Sequence, residues 1–378
     1  MRILLLGEYS RLHNSLKEGL IELGHHVIIV GDGDDFKQFP VDYSIDAKFS
    51  KSKPIVFLRR FIYRLFKYDF AKTERGIRFY FLLNRLKDFD VVQLINESSI
   101  KTTSNFEISL LKKIKEQNKK LFLLSCGTDT ICMQFMMDKK FKYSILTPYF
   151  ESDYKSNIYQ HMFEYLSKSH LKLHDFLYKN INGVIASDMD YAIPLNGNSK
   201  SLGLIPNPIN TKNIAFNELN FDDRIIIFLG INRHSYQRKG LDLFENALNS
   251  IEKTYSDSVK IIKVENLPYQ EYSKILDQSH IVLDQVYAYD QGYNALEAMA
   301  KGKVVFTCAE KEFTDYYQLT DRVAINALPD VNELVKELSF LIENPQEIIK
   351  IGKNARAFVE KEHDYLKIAK KYLTVWQS

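Results

Sequence analysis

Three cations crowd one short stretch of the chain. Arg233, Arg238 and Lys239 follow the apolar run 225–229 and Gly230, and they precede the helical period that starts at Gly240-Leu241. Cations between the carboxyl end of a strand and the N-terminus of a helix occupy the place where open α/β sheets meet their ligands, and a diphosphate suits them. The alternative is a solvated basic turn; the G-x-x-x-x-G-K-[ST] spacing of a P-loop is absent. A second segment runs from Asp284 to Val305. In it Asp290-Gln291-Gly292-Tyr293 leads into a short helix predicted over 294–300, with Glu297 one turn in. Exposed amides from Gly292 to Ala295 can bind phosphate, and a glutamate placed like Glu297 can accept two hydrogen bonds from a ribose diol. The alternative there is a buried, capped glutamate that only orders the loop.

Other polar groups are more widely spread. Ser125-Cys126-Gly127-Thr128-Asp129 follows an apolar run at 121–124, and Asp129 reads either as a ligand contact or as the N-cap of the next helix. Gly7 and Glu8 close the first apolar run, with near approach of the backbone permitted at Gly7. Asp32-Gly33-Asp34 and Asp188-Met189-Asp190 spell a D-x-D pattern suited to a divalent cation, but a polar turn and a helix cap account for them, so no metal is expected. His170 and His174 share a helix face without the glutamate that H-E-x-x-H requires, which points to a structural role. Cys126, Cys132 and Cys308 form no C-x-x-C pair, so reduced thiols in the cytoplasm are expected, not a disulfide framework or a zinc site.

The elements that must position these groups follow from periodicity. With 378 residues, 45% hydrophobic and 26% charged, the chain can bury two cores and is excluded from the disordered and disulfide-scaffold classes. The pattern predicts a strand over 3–6, a helix with Leu12, Leu16, Leu20 and Leu23 on one face, and a strand over 27–30. Strands at 91–95, 121–124 and 184–186 with a helix over 108–117 continue it, which argues for a parallel sheet covered by helices. Pro206 and Pro208 interrupt the alternation and mark a hinge. Beyond them a second α/β alternation begins at Ile225, and a last helical region runs from about Ile348 to Trp376. The opening apolar run is too short for a signal peptide, and no stretch reaches the length of a membrane span.

Charge is uneven beneath its average. The 51 basic and 48 acidic residues leave +3 overall, which does not suggest nucleic acid as a partner. Residues 51–87, however, hold eleven bases against two acids, interleaved with aromatics such as Phe57, Phe61, Phe66 and Phe81. That mixture suits an interfacial helix on an anionic membrane surface; the alternative is an amphipathic core helix with a solvated basic face.

The basic loop ending in Lys239-Gly240, together with Gly292 and Leu296-Glu297-Ala298-Met299-Ala300-Lys301-Gly302-Lys303-Val304-Val305, resembles the C-terminal domain of GT-B glycosyltransferases of the large retaining family 4. The Ile205-Pro206-Asn207-Pro208 hinge and the opening Gly7, Gly24-His25 pattern are similar to that family too, so the resemblance spans nearly the whole chain. It implies an α/β protein of two Rossmann-like domains with parallel sheets facing an interdomain cleft. Residues 1–207 would bind the acceptor, residues 208–359 the nucleotide-sugar donor, and a C-terminal helix at about 360–378 would cross back to the first domain. Arg233 and Lys239 would neutralise the donor diphosphate, and Glu297 would hold the ribose. Glu265, Asn266 and Leu267 would flank the base, with Gly230, Arg238, Gly292, Tyr293, Asn294 and Ala295 completing the donor site. Gly7, Glu8, Gly127 and Thr128 would line the acceptor side, with Asp129 orienting the acceptor.

One departure stands out. The family has a glutamate eight positions before Glu297, where this chain has Tyr289, and the adjacent Asp290 is the candidate replacement. The resemblance implies retaining, metal-independent transfer of a sugar from a nucleoside-diphosphate sugar to a hydroxyl of a glycan or lipid-linked glycan, as in polysaccharide biosynthesis. No cofactor is implied beyond the donor substrate, and the expected location is cytoplasmic, peripheral at the inner membrane face. The alternatives are an inactive nucleotide-sugar-binding protein of the same fold and a nucleotide-sugar epimerase or hydrolase.

Overall fold

The computed structural model describes residues 1–66, 68–151, 157–221, 224–267 and 269–378. Lys67, one of the eleven bases of the cationic segment, lies outside them. The chain forms two compact units. The first comprises Met1–Gln134, His161–Pro208 and Tyr365–Ser378, and the second comprises Phe135–Gln160 and Ile209–Asp364.

The first unit holds seven parallel strands: β1 (Arg2–Leu6), β2 (His26–Gly31), β3 (Tyr43–Ser44), β4 (Val91–Leu94), β5 (Lys120–Ser125), β6 (Gly183–Ala186) and β7 (Ser201–Leu204). Their order in the sheet is β3-β2-β1-β4-β5-β6-β7. Parallel strands covered by helices on both faces need continuous apolar runs, and Ile3, Leu4, Leu5 and Leu6 are all fully buried. The chain builds outward from β1 in one direction and then, from β4, in the other. That reversal, between β1 and β4, opens a crevice at the carboxyl ends of the strands.

The second unit repeats the design with five parallel strands: β8 (Ile225–Ile231), β9 (Val259–Glu265), β10 (Ile281–Leu283), β11 (Val304–Thr307) and β12 (Ile325–Asn326), ordered β12-β11-β10-β8-β9. Here the reversal falls between β8 and β10. Leu241, Phe244, Leu248 and Ile251, spaced along the helix Leu241–Thr254, bury against this sheet.

The unit boundaries depart from the expected 207/208 division in two ways. Phe135–Gln160 belongs to the second unit, because Tyr143 joins that unit's hydrophobic core. The last helical region, anticipated as one stretch, is two helices, Pro345–Glu362 and Tyr365–Gln377, and the first unit resumes at Tyr365 instead of about residue 360. Trp376 anchors the final helix: it is fully buried, and its Nε1 donates to Gln93 Oε1 on β4 at 3.0 Å. Among the described residues no helix is long and apolar enough to cross a membrane.

Candidate functional site

In the second unit, the loop after β8 carries the three cations to the strand reversal. Lys239 Nζ lies 2.6 Å from Asp284 Oδ1, and Asp284 immediately follows β10. The Val286 N–H donates to Lys239 O at 3.0 Å, so the two loops are tied through backbone as well. Arg233 makes a two-pronged pair with Glu265, Nε to Oε1 at 2.8 Å and Nη2 to Oε2 at 2.7 Å, and its guanidinium lies 4.9 Å from the Tyr236 ring centroid. The hydrogen bond to Glu265 holds the guanidinium pKa up and, reciprocally, the carboxyl pKa down. Both side chains are exposed. The structure therefore joins two residues that the resemblance assigns to different parts of the donor. Arg238 donates to His234 O at 3.1 Å, and burial lowers its pKa. Asn266 adopts a left-handed backbone, φ 51°, as the chain turns out of β9, and the half-buried Leu267 follows it.

The loop between β10 and the helix Tyr293–Ala300 is held both by its own bonds and by residues 141–143. Tyr289 is buried in an aromatic cluster, its ring centroid 5.0 Å from Phe141 and 5.8 Å from Tyr143, and its hydroxyl accepts from Lys142 N at 2.8 Å. Tyr143 in turn donates to Glu310. The departure at Tyr289 is thus filled by packing from the Phe135–Gln160 segment. Asp290 is buried too, and its Oδ1 accepts from Gln291 N at 2.6 Å. Gly292 forms the extended N-cap of the helix, followed by half-buried Tyr293, exposed Asn294 and buried Ala295. Glu297, half-buried one turn in, has Oε1 3.9 Å from Lys301 Nζ, while Lys301 holds Asp277 more closely at 2.6 Å.

In the first unit the polar groups gather at the β1/β4 reversal. Gly7 has φ +85°, and a Cβ there would lie 2.2 Å from Ile95 Cγ2, so only glycine fits. Glu8 is fully buried. Its Oε2 accepts from Asn14 N at 2.9 Å and from Asn14 Nδ2 at 2.5 Å, while Oε1 has no partner among the described residues. Burial raises this carboxyl to about 7. Beside it, His13 Nδ1 donates to Gly7 O at 2.7 Å, and burial lowers the imidazole to about 4.

Asp129 serves its own loop: Oδ1 accepts from Cys132 N at 2.7 Å and Oδ2 from Ser125 Oγ. Those bonds match the capping alternative, and burial, reinforced by Glu97, raises the carboxyl to about 6. Gly127 packs against the Tyr9 ring, and the carbonyls of Cys126 and Thr128 both accept from Asn96 Nδ2.

Sequence reasoning missed Glu97. This fully buried carboxylate receives His170 Nε2 at 2.8 Å, His174 Nδ1 at 2.7 Å and Thr130 Oγ1 at 2.6 Å. Burial alone would raise it, but the two histidine hydrogen bonds outweigh that and hold it at about 2. The shared helix face of His170 and His174 was the available signal; their partner 73 residues upstream was not. Both D-x-D patterns are occupied locally. Asp32 holds Lys101 at 2.9 Å, Asp34 accepts from Ser10 N, and Asp188 accepts from Asp190 N as a helix cap.

A family model described as glycosyl transferase-like matches residues 240–374. No curated protein matches the chain. Many solved structures share the fold. Sucrose-phosphate synthase from Thermosynechococcus elongatus superposes with a TM-score of 0.63 at 14% identity, over 100% of this chain and 98% of that one. Anabaena HepE in complex with UDP and glucose gives 0.61 at 12% identity, over 100% and 99%. UDP-GlcNAc 2-epimerase from Neisseria meningitidis bound to UDP-GlcNAc gives 0.50 at 14%, over 100% and 100%.

Proposed function

The chain carries a glycosyl transferase-like domain within a GT-B fold, and from that premise we propose that it transfers a sugar, with retention and without a metal, from a nucleoside-diphosphate sugar to a hydroxyl of a glycan or lipid-linked glycan. The observation that carries this reading is Lys239 at the β8/β10 reversal, paired with Asp284 in the loop that leads to the helix Tyr293–Ala300. Breaking the bond to the sugar puts negative charge on the leaving diphosphate. Lys239, Arg233 and the helix-terminus amides at Gly292 to Ala295 stabilise that charge where it develops. Glu297 accepts from the ribose hydroxyls, and Asn266 and Leu267 border the base. The leaving phosphate takes the acceptor proton on the face from which it departs. Glu8, at the carboxyl end of β1, contacts the acceptor in the first unit.

The fold is shared with an epimerase, so activity decides between reactions. A thermal-shift screen with UDP, GDP and their sugar derivatives, followed by turnover with excess chelator, tests the reading. Stabilisation by a nucleotide sugar and chelator-resistant transfer are expected. Sugar released or epimerised without any acceptor would instead support the epimerase or hydrolase reading, and tight binding without turnover the inactive one.

The acceptor side of the proposal includes an anionic membrane surface, at which the protein would act from the cytoplasm. The helix Lys53–Phe66 exposes Phe57 (79%), Phe61 (55%) and Leu65 (58%) beside exposed Arg60 and Arg64. Aromatics that face outward favour an interfacial helix over a core helix with a basic face. Such a surface would bring the chain to a lipid-linked acceptor.

A further inference from the structure

Gln291 is 2% exposed and sits directly before Gly292, in the loop that joins β10 to the helix Tyr293–Ala300. Its side-chain amide is half satisfied. Nε2 donates to Cys308 O at 2.7 Å, and because a carbonyl can only accept, that contact fixes which end of the amide is nitrogen. The other end, Oε1, is buried and has no partner among the described residues. An orphaned amide oxygen in the interior forfeits its water without replacement, so a ligand hydroxyl that reaches it is bound at little desolvation cost.

Its surroundings favour that use. Tyr289 is held by Lys142 N and by the Phe141 and Tyr143 rings. Asp290 Oδ1 accepts the Gln291 N–H. The loop is therefore braced immediately before the orphaned atom. Next to it, a Cβ built on Gly292 would meet nothing within 4 Å, so the backbone there faces open space at the N-terminus of the helix.

Resting on the donor reading above, we propose that Gln291 is a specificity-determining residue whose Oε1 accepts a hydrogen bond from a hydroxyl of the donor's sugar. The nucleotide is held by other residues, so the contribution of Gln291 belongs to the sugar alone. Calorimetric titration of the full chain with UDP and with UDP-glucose separates the two. In Gln291→Leu, UDP should bind within twofold of the parent, while the affinity for UDP-glucose relative to UDP should fall about three- to tenfold, the loss of one hydrogen bond. Tyr289→Phe should leave that ratio unchanged. If Gln291→Leu no longer binds UDP, Gln291→Met, unbranched and of similar length, replaces it in the comparison. An unchanged ratio in a variant that still binds UDP overturns the assignment of Gln291 and leaves the donor reading standing. A parent chain that binds none of UDP, UDP-glucose, GDP and GDP-mannose overturns both.

Discussion

Lys239 Nζ and Asp284 Oδ1 stand 2.6 Å apart, so the cation of the loop after β8 is fastened to the carboxyl end of β10. Asp284 is 7% exposed, and its charge is largely out of water. Lys239→Ala leaves that carboxylate buried without its partner and removes a charge from the proposed diphosphate site. Turnover should fall by two orders of magnitude or more, and stability by about 2 kcal/mol, below the full cost of breaking a buried pair because Lys239 remains partly solvated. Initial rates and urea unfolding of the purified variant measure the two effects. Adding Asp284→Asn should recover much of the stability and none of the rate; a double variant no more stable than the single one would deny the coupling.

The elements around this pair are legible in sequence because their signals are local. The apolar run of β8, the glycine and cations after it, and the Gly292 to Val305 pattern all lie within short windows. What escaped depends on distance along the chain. Arg233 meets Glu265 32 residues on, and Tyr289 meets Lys142 147 residues back. Nothing in the composition of 135–160 marks it as part of the second unit; Tyr143 joins that core only once the sheet exists. Glu97 is hidden for the same reason, since an isolated glutamate after a strand has no period to betray two histidines on a distant helix.

Trp376 offers a test of the final helix. The ring is fully buried against Tyr372, its Nε1 is bonded to Gln93 on β4, and its carbonyl accepts from Lys120 Nζ at 2.9 Å. Trp376→Ala should cost about 3–5 kcal/mol through the cavity it leaves. Trp376→Phe fills most of the space but strands Gln93 Oε1, for about 1–3 kcal/mol. Denaturant unfolding reads both, and a loss under about 1 kcal/mol in Trp376→Ala would mean that the helix Tyr365–Gln377 contributes little to the first unit.

Glu8 predicts a pH dependence of stability. Burial raises its carboxyl from 4.5 to about 7, so between those values the native chain keeps a proton that the unfolded chain has released. Its contribution is complete below pH 4.5 and is lost as pH rises through 7. Glu107, raised by burial to about 8, acts in the same sense at slightly higher pH. Glu97 acts oppositely: held at about 2, it stabilises above pH 4.5 and loses that effect in acid. Glu8→Gln retains an oxygen for Asn14 and abolishes the titration. Between pH 5 and 8 the parent should lose up to about 3 kcal/mol more than this variant. Equal slopes in urea titrations across that range would show that Glu8 is ionised in the native chain.

The cationic segment makes the last prediction, and the structure changes which residues should carry it. Arg59 is committed to Asp69 at 2.7 Å, Arg78 to Glu74, and Arg75 is buried near Asp32. Arg60 and Arg64 are exposed on the same helix as Phe57 and Phe61. Binding to vesicles rich in phosphatidylglycerol should therefore be strong at low salt, weak on phosphatidylcholine, and diminished as salt screens the surface potential. Neutralising Arg60 and Arg64 together should weaken it by about 2 kcal/mol, near one per charge, whereas neutralising Arg59 should do less and cost stability instead. Phe57→Ser with Phe61→Ser should weaken binding at every salt concentration, because burial of apolar surface is not screened. Vesicle co-sedimentation at low ionic strength decides the matter: a chain that stays in solution there does not use this helix as an anchor.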